Sequence, residues 1–322
     1  MGSKRVAAID IGTVTCRLLV AEVRDGVLRE LVRCCEIVNL GIGVDKTGLL
    51  RSDAIDRAVS QIAEYRSIVD GLALREGCEI PLVAVATSAC RDASNASALV
   101  DRLADLGVFV DVVDGDTEAR LSFKGASRGF EGQSIALVDI GGGSTEVVFG
   151  EAGKAPMFAH SFNIGCRRVT ERFLSVDPPV DREIAEARRW IASEFKPVFE
   201  EAYRLGCLPD RMVAVAGTAT SIVSVDRRMV HYDPEQVQGA VVDRATLDRV
   251  HEAFASVPFE QRKLIVGLEP KRAGVIVAGS VILQEVLAAL GLDRFTVSES
   301  DILQGMILER ALGERRFVSH GA

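Results

Sequence analysis

The chain repeats one short sequence pattern in its two halves, and this repeat constrains the fold more than any other feature. Residues 6–22 read VAAIDIGTVTCRLLVAE, and residues 135–151 read IALVDIGGGSTEVVFGE. In each copy an apolar run leads into Asp-Ile-Gly, small and hydroxyl residues follow, and a second apolar run ends in Glu. The matched positions are Asp10 with Asp139, Gly12 with Gly141, and Thr15 with Ser144. A gapless match of this kind predicts a duplicated architecture with two domains.

Each copy reads as a β-hairpin. The two apolar runs are predicted strands, the second covering residues 18–20 in one copy and 147–149 in the other. The segment between them is rich in Gly, Thr and Ser, and glycine permits a tight turn and the close approach of another group. A GxGxxG dinucleotide fingerprint is disfavoured, because it would need a glycine at Glu146 and a following helix. The sequence contains no GxxxxGK followed by Ser or Thr, which excludes a P-loop.

The predicted turns have the chemistry of a phosphate site. Bare backbone N–H groups and hydroxyls can hold phosphate oxygens. An acidic residue at the adjoining strand end can hold a divalent cation or its water ligands. Two such turns that face each other from two domains would form a polyphosphate clamp. The alternative is a pair of ordinary tight hairpins without a ligand, and the matched aspartate in both copies favours the clamp.

Strands and helices alternate along the rest of the chain. Predicted strands cover residues 80–89, 108–115, 211–221 and 295–300, and the third of these ends in a turn of small residues. Predicted helices cover residues 49–73, 94–106, 116–130, 179–206 (with a bend before Pro197), 243–256, 271–291 and 301–313. The alternation predicts an α/β fold with mostly covered sheets. We place the domain boundary near residue 130, which gives domains of residues 1–130 and 131–322.

The composition weighs against several classes of function. The 322 residues include 38 basic and 46 acidic ones, and the net charge of −8 disfavours general binding to nucleic acid or anionic membranes. The seven cysteines show no CxxC pair and no zinc-type spacing, so we expect reduced, buried thiols. We find no signal-peptide pattern, and the longest apolar stretch (274–283) falls short of the roughly 20 residues that span a bilayer. We therefore expect a cytoplasmic protein without a membrane or nucleic-acid partner.

Eight segments carry a resemblance to a known family, in that family's order. They are DIGTVTCRLLV (10–20), VATSACRDASN (85–95), DTEARLSF (116–123), DIGGGSTEVVFG (139–150), FNIGCRRVTERF (162–173), AGTATS (216–221), YDPEQVQGA (232–240) and VSESDILQG (297–305). Together they resemble the Ppx/GppA phosphatases, a family of exopolyphosphatases and guanosine pentaphosphate phosphohydrolases. The resemblance implies two ribonuclease-H-like domains of the actin/sugar-kinase/Hsp70 superfamily, with an active-site cleft between the domains. It also implies that residues 301–316 pack on the first domain, and that the protein is a homodimer.

The resemblance implies removal of the terminal phosphoryl group of inorganic polyphosphate or pppGpp, with Mg²⁺ as the cation and Mn²⁺ as its alternative. Glu118 matches the family's catalytic glutamate. With Asp116 as the predicted N-cap of the 116–130 helix, Glu118 lies in the first turn, where the helix dipole favours an ionised carboxylate. Such a carboxylate can deprotonate an attacking water; an ordinary helix-terminal glutamate is the alternative. By resemblance, Asp139 and Glu146 bind Mg²⁺ or the attacking water, and Asp10 is the equivalent acid that could share the metal.

The remaining site residues implied by the resemblance bind phosphate. Those of the first turn are Gly12, Thr13 and Thr15. Those of the second turn are Gly141, Gly142, Gly143, Ser144 and Thr145. Three further residues, Arg17, Ser88 and Arg91, match positions that line the family's substrate cleft, and Arg168 in the IGCRRV segment is an additional candidate. A guanidinium group suits phosphate because its planar fork donates two parallel hydrogen bonds.

Two departures from the family pattern bear on the function. Val14 stands where the family usually has an asparagine, which puts the first phosphate site in doubt. Longer relatives add C-terminal helical domains after the two shared domains, so we expect this chain to favour shorter polyphosphate or to cleave distributively.

Three alternatives to an exopolyphosphatase stay open. The first is a pppGpp 5′-phosphohydrolase that produces ppGpp. The second is an actin-like ATPase or sugar kinase, because residues 216–221 occupy a segment that contacts adenosine in that superfamily. Against it, kinases of this type use an aspartate base. The third is a non-catalytic polyphosphate or (p)ppGpp sensor, which Val14 motivates.

Overall fold

The computed structural model describes residues 3–313, and their contacts divide them into two compact units. Unit 1 comprises residues 3–125 with 302–313, and unit 2 comprises residues 126–301. The strands are β1 (Lys4–Ile11), β2 (Thr15–Arg24), β3 (Val27–Ile37), β4 (Leu82–Ala86), β5 (Val110–Val112), β6 (Ser134–Ile140), β7 (Thr145–Glu151), β8 (Phe158–Phe162), β9 (Arg211–Val215), β10 (Val241–Asp243) and β11 (Arg294–Val297). The helices are α1 (Val44–Thr47), α2 (Ser52–Glu76), α3 (Ser88–Asp92), α4 (Ser97–Asp105), α5 (Gly115–Ala126), α6 (Cys166–Phe173), α7 (Asp181–Arg204), α8 (Ala216–Asp226), α9 (Pro234–Val237), α10 (Arg244–Ala255), α11 (Phe259–Arg262), α12 (Ile276–Ala289) and α13 (Ile302–Leu312).

The sheet of unit 1 has five strands in the order β3-β2-β1-β4-β5. Strands β1, β2 and β3 form an antiparallel ribbon, and β4 and β5 continue the sheet in parallel with β1. Alternation along β1 sends Ala7 and Ile9 into one core and Val6 and Ala8 into the other. Residues of α2 and α4 belong to the first core, and residues of α13 belong to the second. Cover on both faces explains why β1 reads as one continuous apolar run.

The sheet of unit 2 repeats this arrangement. Its order is β8-β7-β6-β9-β11-β10, with β6, β7 and β8 as the antiparallel ribbon and β9 and β11 parallel to β6. Strand β10 is an addition, and it pairs antiparallel with β11 at the edge. The two predicted hairpins, β1–β2 and β6–β7, are therefore confirmed as equivalent elements of two sheets. The repeat in the sequence is a repeat of the fold, and both sheets have the predicted mixed α/β, ribonuclease-H-like organisation.

The predicted elements are present with bounds shifted by a few residues, apart from two errors. The turn of small residues predicted at the end of segment 211–221 is wrong, because α8 begins at Ala216 directly after β9. Ala216 adopts a left-handed φ of 64°, which redirects the chain into the helix without a loop. Asp116 is also not the N-cap of its helix. The capping contact comes from Asp114, whose Oδ1 accepts a 2.8 Å hydrogen bond from Thr117 N.

Sequence analysis missed the third strand of each sheet, β3 and β8, and the helix α6 that follows β8. The bend expected before Pro197 stays a prediction; the proline lies inside α7. The chain leaves unit 1 between residues 125 and 126, close to the predicted boundary, and α13 belongs to unit 1. Residues 314–316 of the predicted final segment lie outside the described residues.

The topology places several loops at one edge of each sheet. In unit 1, the parallel strands β1 and β4 end side by side, so residues 12–15 and the start of α3 lie at the same edge. In unit 2, β6 and β9 bring residues 141–144 and the start of α8 together in the same way. The carboxyl ends of parallel strands are where α/β proteins bind ligands.

Among residues 3–313, no helix combines the length and the apolar character that a membrane crossing requires.

Candidate active site

The two predicted phosphate turns have the same backbone geometry. In unit 1, Gly12 N donates to Thr15 O at 2.8 Å, and in unit 2, Gly141 N donates to Ser144 O at 3.0 Å. A Cβ atom built on Gly12 or on Gly141 would lie 3.2 Å from the carbonyl oxygen that closes its own turn. We call residues 12–15 the first phosphate loop and residues 141–144 the second phosphate loop. Because an equivalent backbone hydrogen bond closes both loops, the sequence repeat extends to the structure of the turns.

The first phosphate loop contains a buried hydroxyl whose hydrogen-bonding capacity is unused within the described part of the chain. Thr13 is 6% exposed, and its Oγ1 has no hydrogen-bond partner among residues 3–313. A buried hydroxyl normally has a partner, because leaving it unsatisfied costs about 1–3 kcal/mol. An anion bound at the loop would satisfy it, so the observation fits the predicted phosphate role of Thr13. Gly12 and Thr15 lie on the same loop and are partly exposed.

Val14, the departure from the family pattern, is a buried residue of the first phosphate loop. Its side chain is 5% exposed and belongs to the buried hydrophobic residues of the chain. Its carbonyl oxygen accepts hydrogen bonds from Val38 N and Asn39 N, which tie the loop to the segment after β3. Valine at this position therefore contributes packing, and its carbonyl oxygen anchors the loop. The effect of Val14 on the first phosphate site stays a prediction.

Asp10 and Arg17 form an ion pair at the end of the β1–β2 ladder. They are directly opposite each other in the antiparallel register. The Arg17 guanidinium donates to Asp10 Oδ2 from Nη2 at 2.7 Å and from Nε at 3.0 Å. Both side chains are largely buried. The pair is close to neutral, so in this geometry Asp10 is compensated by an arginine and is a poor ligand for a cation. The phosphate-binding role of Arg17 stays a prediction.

Glu118 lies in the first turn of α5, as predicted. Its backbone N donates to Asp114 O at 3.0 Å, and the Asp114 carboxylate caps the same turn. Arg91 at the end of α3 donates from Nη1 to Glu118 Oε2 at 2.6 Å and to Val113 O at 3.0 Å. Both side chains of this ion pair are mostly buried. A helix N-terminus and an adjacent guanidinium both favour the ionised carboxylate, which is the form a general base requires.

The structure also brings Ser88 to the same edge of unit 1, although its hydroxyl is directed within α3. Ser88 Oγ donates to Asp92 Oδ2 at 3.4 Å. All seven cysteines are free, as expected, but the expected burial is wrong for three of them: Cys34 is partly exposed, and Cys35 and Cys78 are exposed. Three of the four buried cysteines lie close to predicted site residues. Burial raises the pKa of Cys16 and of Cys166, and it raises the pKa of Cys90 to about 12. A raised pKa favours the protonated thiol at neutral pH, so these cysteines are poor candidates for nucleophiles.

The second phosphate loop is supported from within unit 2. Arg168 Nε donates to Gly143 O at 2.9 Å, and Arg167 N donates to Gly142 O at 2.8 Å. The Thr145 hydroxyl donates to Ile164 O at 2.5 Å, so its proton is engaged in the interior. Arg168 and Thr145 thus hold the loop in place, and their direct contact with phosphate stays a prediction. The main chain of Gly141, Gly142 and Gly143 and the Ser144 residue form the loop itself.

Asp139 and Glu146 are directly opposite each other at the end of the β6–β7 ladder. Both are buried, with 7% and 1% of the residue exposed, and Ser161 Oγ donates to Glu146 Oε1 at 2.7 Å. Directly opposed residues of an antiparallel pair have Cβ atoms about 5 Å apart and point to the same face. Two adjacent carboxylates disfavour joint ionisation unless a positive charge is close. Carboxylate oxygens are ligands that Mg²⁺ accepts, so the donor chemistry of this pair fits a divalent cation, whereas the residue opposite Asp10 is an arginine.

Among residues 3–313, no group of three or more His, Cys, Asp or Glu side chains is arranged to hold a metal ion. A cation at Asp139 and Glu146 would thus take two protein ligands and complete its coordination with water or substrate oxygens. Mg²⁺ commonly binds in this way, through one or two carboxylates plus phosphates.

A further group of side chains lies where β9 enters α8 in unit 2. A Cβ on Gly217 would lie 1.7 Å from Arg272 Nη1, so the guanidinium rests directly on this glycine. The Tyr232 hydroxyl donates to Glu299.

Sequence reasoning assigned no role to Arg272, Asp114 or Ser161, because only the tertiary structure brings them to these positions. The alignment of the two repeats did contain a missed signal, since Arg17 stands opposite Glu146 in it.

The duplicated sheets and their phosphate loops define a protein of the actin-like ATPase and sugar-kinase superfamily. The comparisons then specify the family within it. The model of the Ppx/GppA phosphatase family matches residues 19–314, and the chain belongs to this family of phosphatases. Exopolyphosphatase 2 of Mycobacterium tuberculosis is 36% identical over 327 residues, which cover 97% of this chain and 100% of that protein.

Two solved structures agree with this assignment. The Aquifex aeolicus member of the Ppx/GppA family has a TM-score of 0.80 at 30% identity, with 98% of this chain and 100% of that one covered. An exopolyphosphatase from Cytophaga hutchinsonii has a TM-score of 0.88 at 25% identity, with the same coverage of 98% and 100%. The resemblance stated from the sequence is confirmed.

Proposed function

We propose that the protein is an exopolyphosphatase that releases terminal orthophosphate from inorganic polyphosphate by attack of a water molecule. The observation that carries the proposal is the placement of Glu118, which lies in a capped first helical turn and is bound by Arg91. Support for the substrate comes from the family and from its similarity to proteins named exopolyphosphatase.

In the proposed reaction, Glu118 orients a water molecule and takes its proton. The water oxygen forms a bond to the terminal phosphorus as the bond from that phosphorus to the bridging oxygen breaks. The shortened chain leaves with the electron pair. Arg91 fixes the carboxylate, and general-base catalysis of this kind contributes about 10²–10⁴-fold.

The two phosphate loops supply backbone N–H groups and the hydroxyls of Thr13, Thr15 and Ser144 to phosphate oxygens. Phosphoryl transfer depends mainly on such positioning and on neutralisation of charge. Asp139 and Glu146 would hold Mg²⁺, which when bound neutralises charge on the phosphate oxygens. We leave Asp10 out of the proposed metal site, because Arg17 already compensates its carboxylate.

The sensor alternative, which Val14 motivates, stays a prediction that the assay below decides. The chain-length preference, the homodimer and the cytoplasmic location stay predictions.

The proposal is tested by measuring phosphate release from short-chain polyphosphate, long-chain polyphosphate, pppGpp and ATP under identical conditions with MgCl₂. We expect release from polyphosphate to exceed release from pppGpp and from ATP. Release from pppGpp alone would instead identify a pppGpp phosphohydrolase, and release from ATP alone would identify an ATPase. Tight binding of polyphosphate without any release would identify a sensor.

A further inference from the structure

Gly41 lies in the segment that follows β3, and it packs closely against the first phosphate loop. Its backbone N donates to Thr13 O at 2.9 Å. A Cβ built on Gly41 would lie 2.2 Å from Thr13 Cγ2 and 3.3 Å from Thr13 Cβ. The first of these distances is far below any van der Waals contact. Gly41 is therefore required for space, and any larger residue at this position must displace the Thr13 side chain.

The contact determines which way the Thr13 side chain points. A threonine has few favourable χ1 rotamers, and each assigns Oγ1 and Cγ2 to different directions. Because Cγ2 occupies the space against Gly41, Oγ1 is directed elsewhere. That oxygen is buried and has no hydrogen-bond partner within residues 3–313. In this rotamer the Thr13 hydroxyl is a buried hydrogen-bond donor that pairs with no described residue. Leaving it unpaired costs free energy, and a bound anion would offset that cost.

Unit 2 repeats the arrangement at its own loop. Gly165 follows β8, the strand equivalent to β3, and its added Cβ would lie 2.4 Å from the carbonyl carbon and oxygen of Gly142. Gly142 aligns with Thr13 in the sequence repeat. In both units, a glycine beyond the third strand therefore contacts the second residue of the phosphate loop. A contact that recurs at equivalent places belongs to the architecture of the loop and is not a local accident of packing.

We propose that Gly41 is a positioning residue for phosphate binding: it holds Thr13 in the rotamer that leaves Oγ1 available to donate to a phosphate oxygen. The inference rests on the proposed function in one respect, namely that the ligand of the loop is a phosphate chain. It goes beyond that function because it assigns a role to a residue outside both phosphate loops.

The test uses a rescue pair. All proteins carry Glu118→Gln to prevent turnover, and tripolyphosphate binding with MgCl₂ is measured by calorimetry. Gly41→Ala should weaken binding about tenfold or more, the size expected for one hydrogen bond to a charged group. Thr13→Ser removes Cγ2 and keeps the hydroxyl oxygen. Adding Gly41→Ala to Thr13→Ser should therefore leave the affinity close to that of Thr13→Ser alone. Gly71→Ala on α2 is the matched control, because a Cβ there meets no atom within 4 Å, and it should leave binding unchanged.

Each outcome decides the inference. Unchanged affinity in Gly41→Ala would overturn it, and so would a Thr13→Ser/Gly41→Ala protein that binds as weakly as Gly41→Ala. If Gly41→Ala fails to fold, the double variant decides: folding with the affinity of Thr13→Ser supports the inference, and failure to fold overturns it. Absence of binding in the Glu118→Gln reference itself would overturn the proposed function together with the inference, which distinguishes the two failures.

Discussion

Asp139 and Glu146 face each other across β6 and β7, and both carboxylates are buried at the end of the ladder beside the second phosphate loop. The equivalent place in unit 1 holds Asp10 opposite Arg17, which form an ion pair. The two matched residue pairs therefore differ in formal charge, about −2 for Asp139 with Glu146 and about 0 for Asp10 with Arg17 if all four groups are ionised. We therefore propose unit 2 as the place of the cation, because both opposed residues there carry carboxylate oxygens, which are ligands that Mg²⁺ accepts.

The charge difference predicts where magnesium stabilises the protein. A ligand that binds the folded state adds about 3 kcal/mol of stability at a concentration 100 times its Kd. Saturating MgCl₂ should raise the Tm of the wild-type protein by several degrees, and Glu146→Gln should abolish most of that rise. The measurement is thermal denaturation with and without MgCl₂. Asp10→Asn is the control, and it should retain the rise; loss of the response in Asp10→Asn instead would place the cation at the other hairpin.

The cap of α5 predicts a loss of stability together with a loss of activity. Asp114→Ala removes the carboxylate that accepts from Thr117 N, which should lower the free energy of unfolding by about 1 kcal/mol. Because Glu118 lies in the same turn, kcat should fall as well. Urea denaturation and steady-state kinetics measure the two effects. Asp116→Ala alters the same turn without removing the cap and should have the smaller effect; equal effects of the two variants would argue against Asp114 as the cap.

His251 predicts a loss of stability in mild acid. It is a buried residue of α10, and its Nδ1 lies 2.8 Å from Ser280 Oγ. Burial, reinforced by the charge of Arg188 and opposed by that of Asp248, lowers the pKa of His251 from 6.5 to about 4. The unfolded chain therefore binds a proton between pH 6.5 and 4 that the folded protein does not, so stability falls as the pH falls through this range.

The expected total for His251 is about 3 kcal/mol between these two pH values, since one pKa unit corresponds to about 1.4 kcal/mol. Urea denaturation at a series of pH values measures it. His251→Gln should flatten the dependence in this window, whereas His231→Gln, at an exposed position, should leave it unchanged. A dependence of the same size in His251→Gln would assign the effect to other groups.

Local patterns in the sequence predicted the parts of the fold that alternate strongly or repeat. The two hairpins were visible because their first strands are covered on both faces, which leaves apolar runs that align. Strand β3 was missed because it is an edge strand with both faces partly exposed, so its charged residues interrupt any alternation. Residues 216–221 were read as a turn because glycine, serine and threonine, which make up four of the six residues, are weak helix formers. Packing decides their structure instead: Thr218, Ala219 and Ser221 are all buried.

In the candidate site, too, the parts that are local in sequence were predicted and the contacts between distant residues were not. The phosphate loops and Glu118 were predicted from motifs, which are local in sequence. The partners that orient these residues come from distant parts of the chain, as Arg91 does for Glu118, Ser161 for Glu146 and Gly41 for Thr13. Pairings across such distances depend on strand register and on helix placement, and neither can be read from a single sequence.

The most direct test of the proposed mechanism is the rate of phosphate release from short-chain polyphosphate by Glu118→Gln, with Asp116→Asn in the same helical turn as the control. We predict that kcat falls by about 10²-fold or more in Glu118→Gln, while polyphosphate binding persists. Asp116→Asn should stay close to wild type. A Glu118→Gln protein that releases phosphate at the wild-type rate would contradict the assignment of Glu118 as the general base.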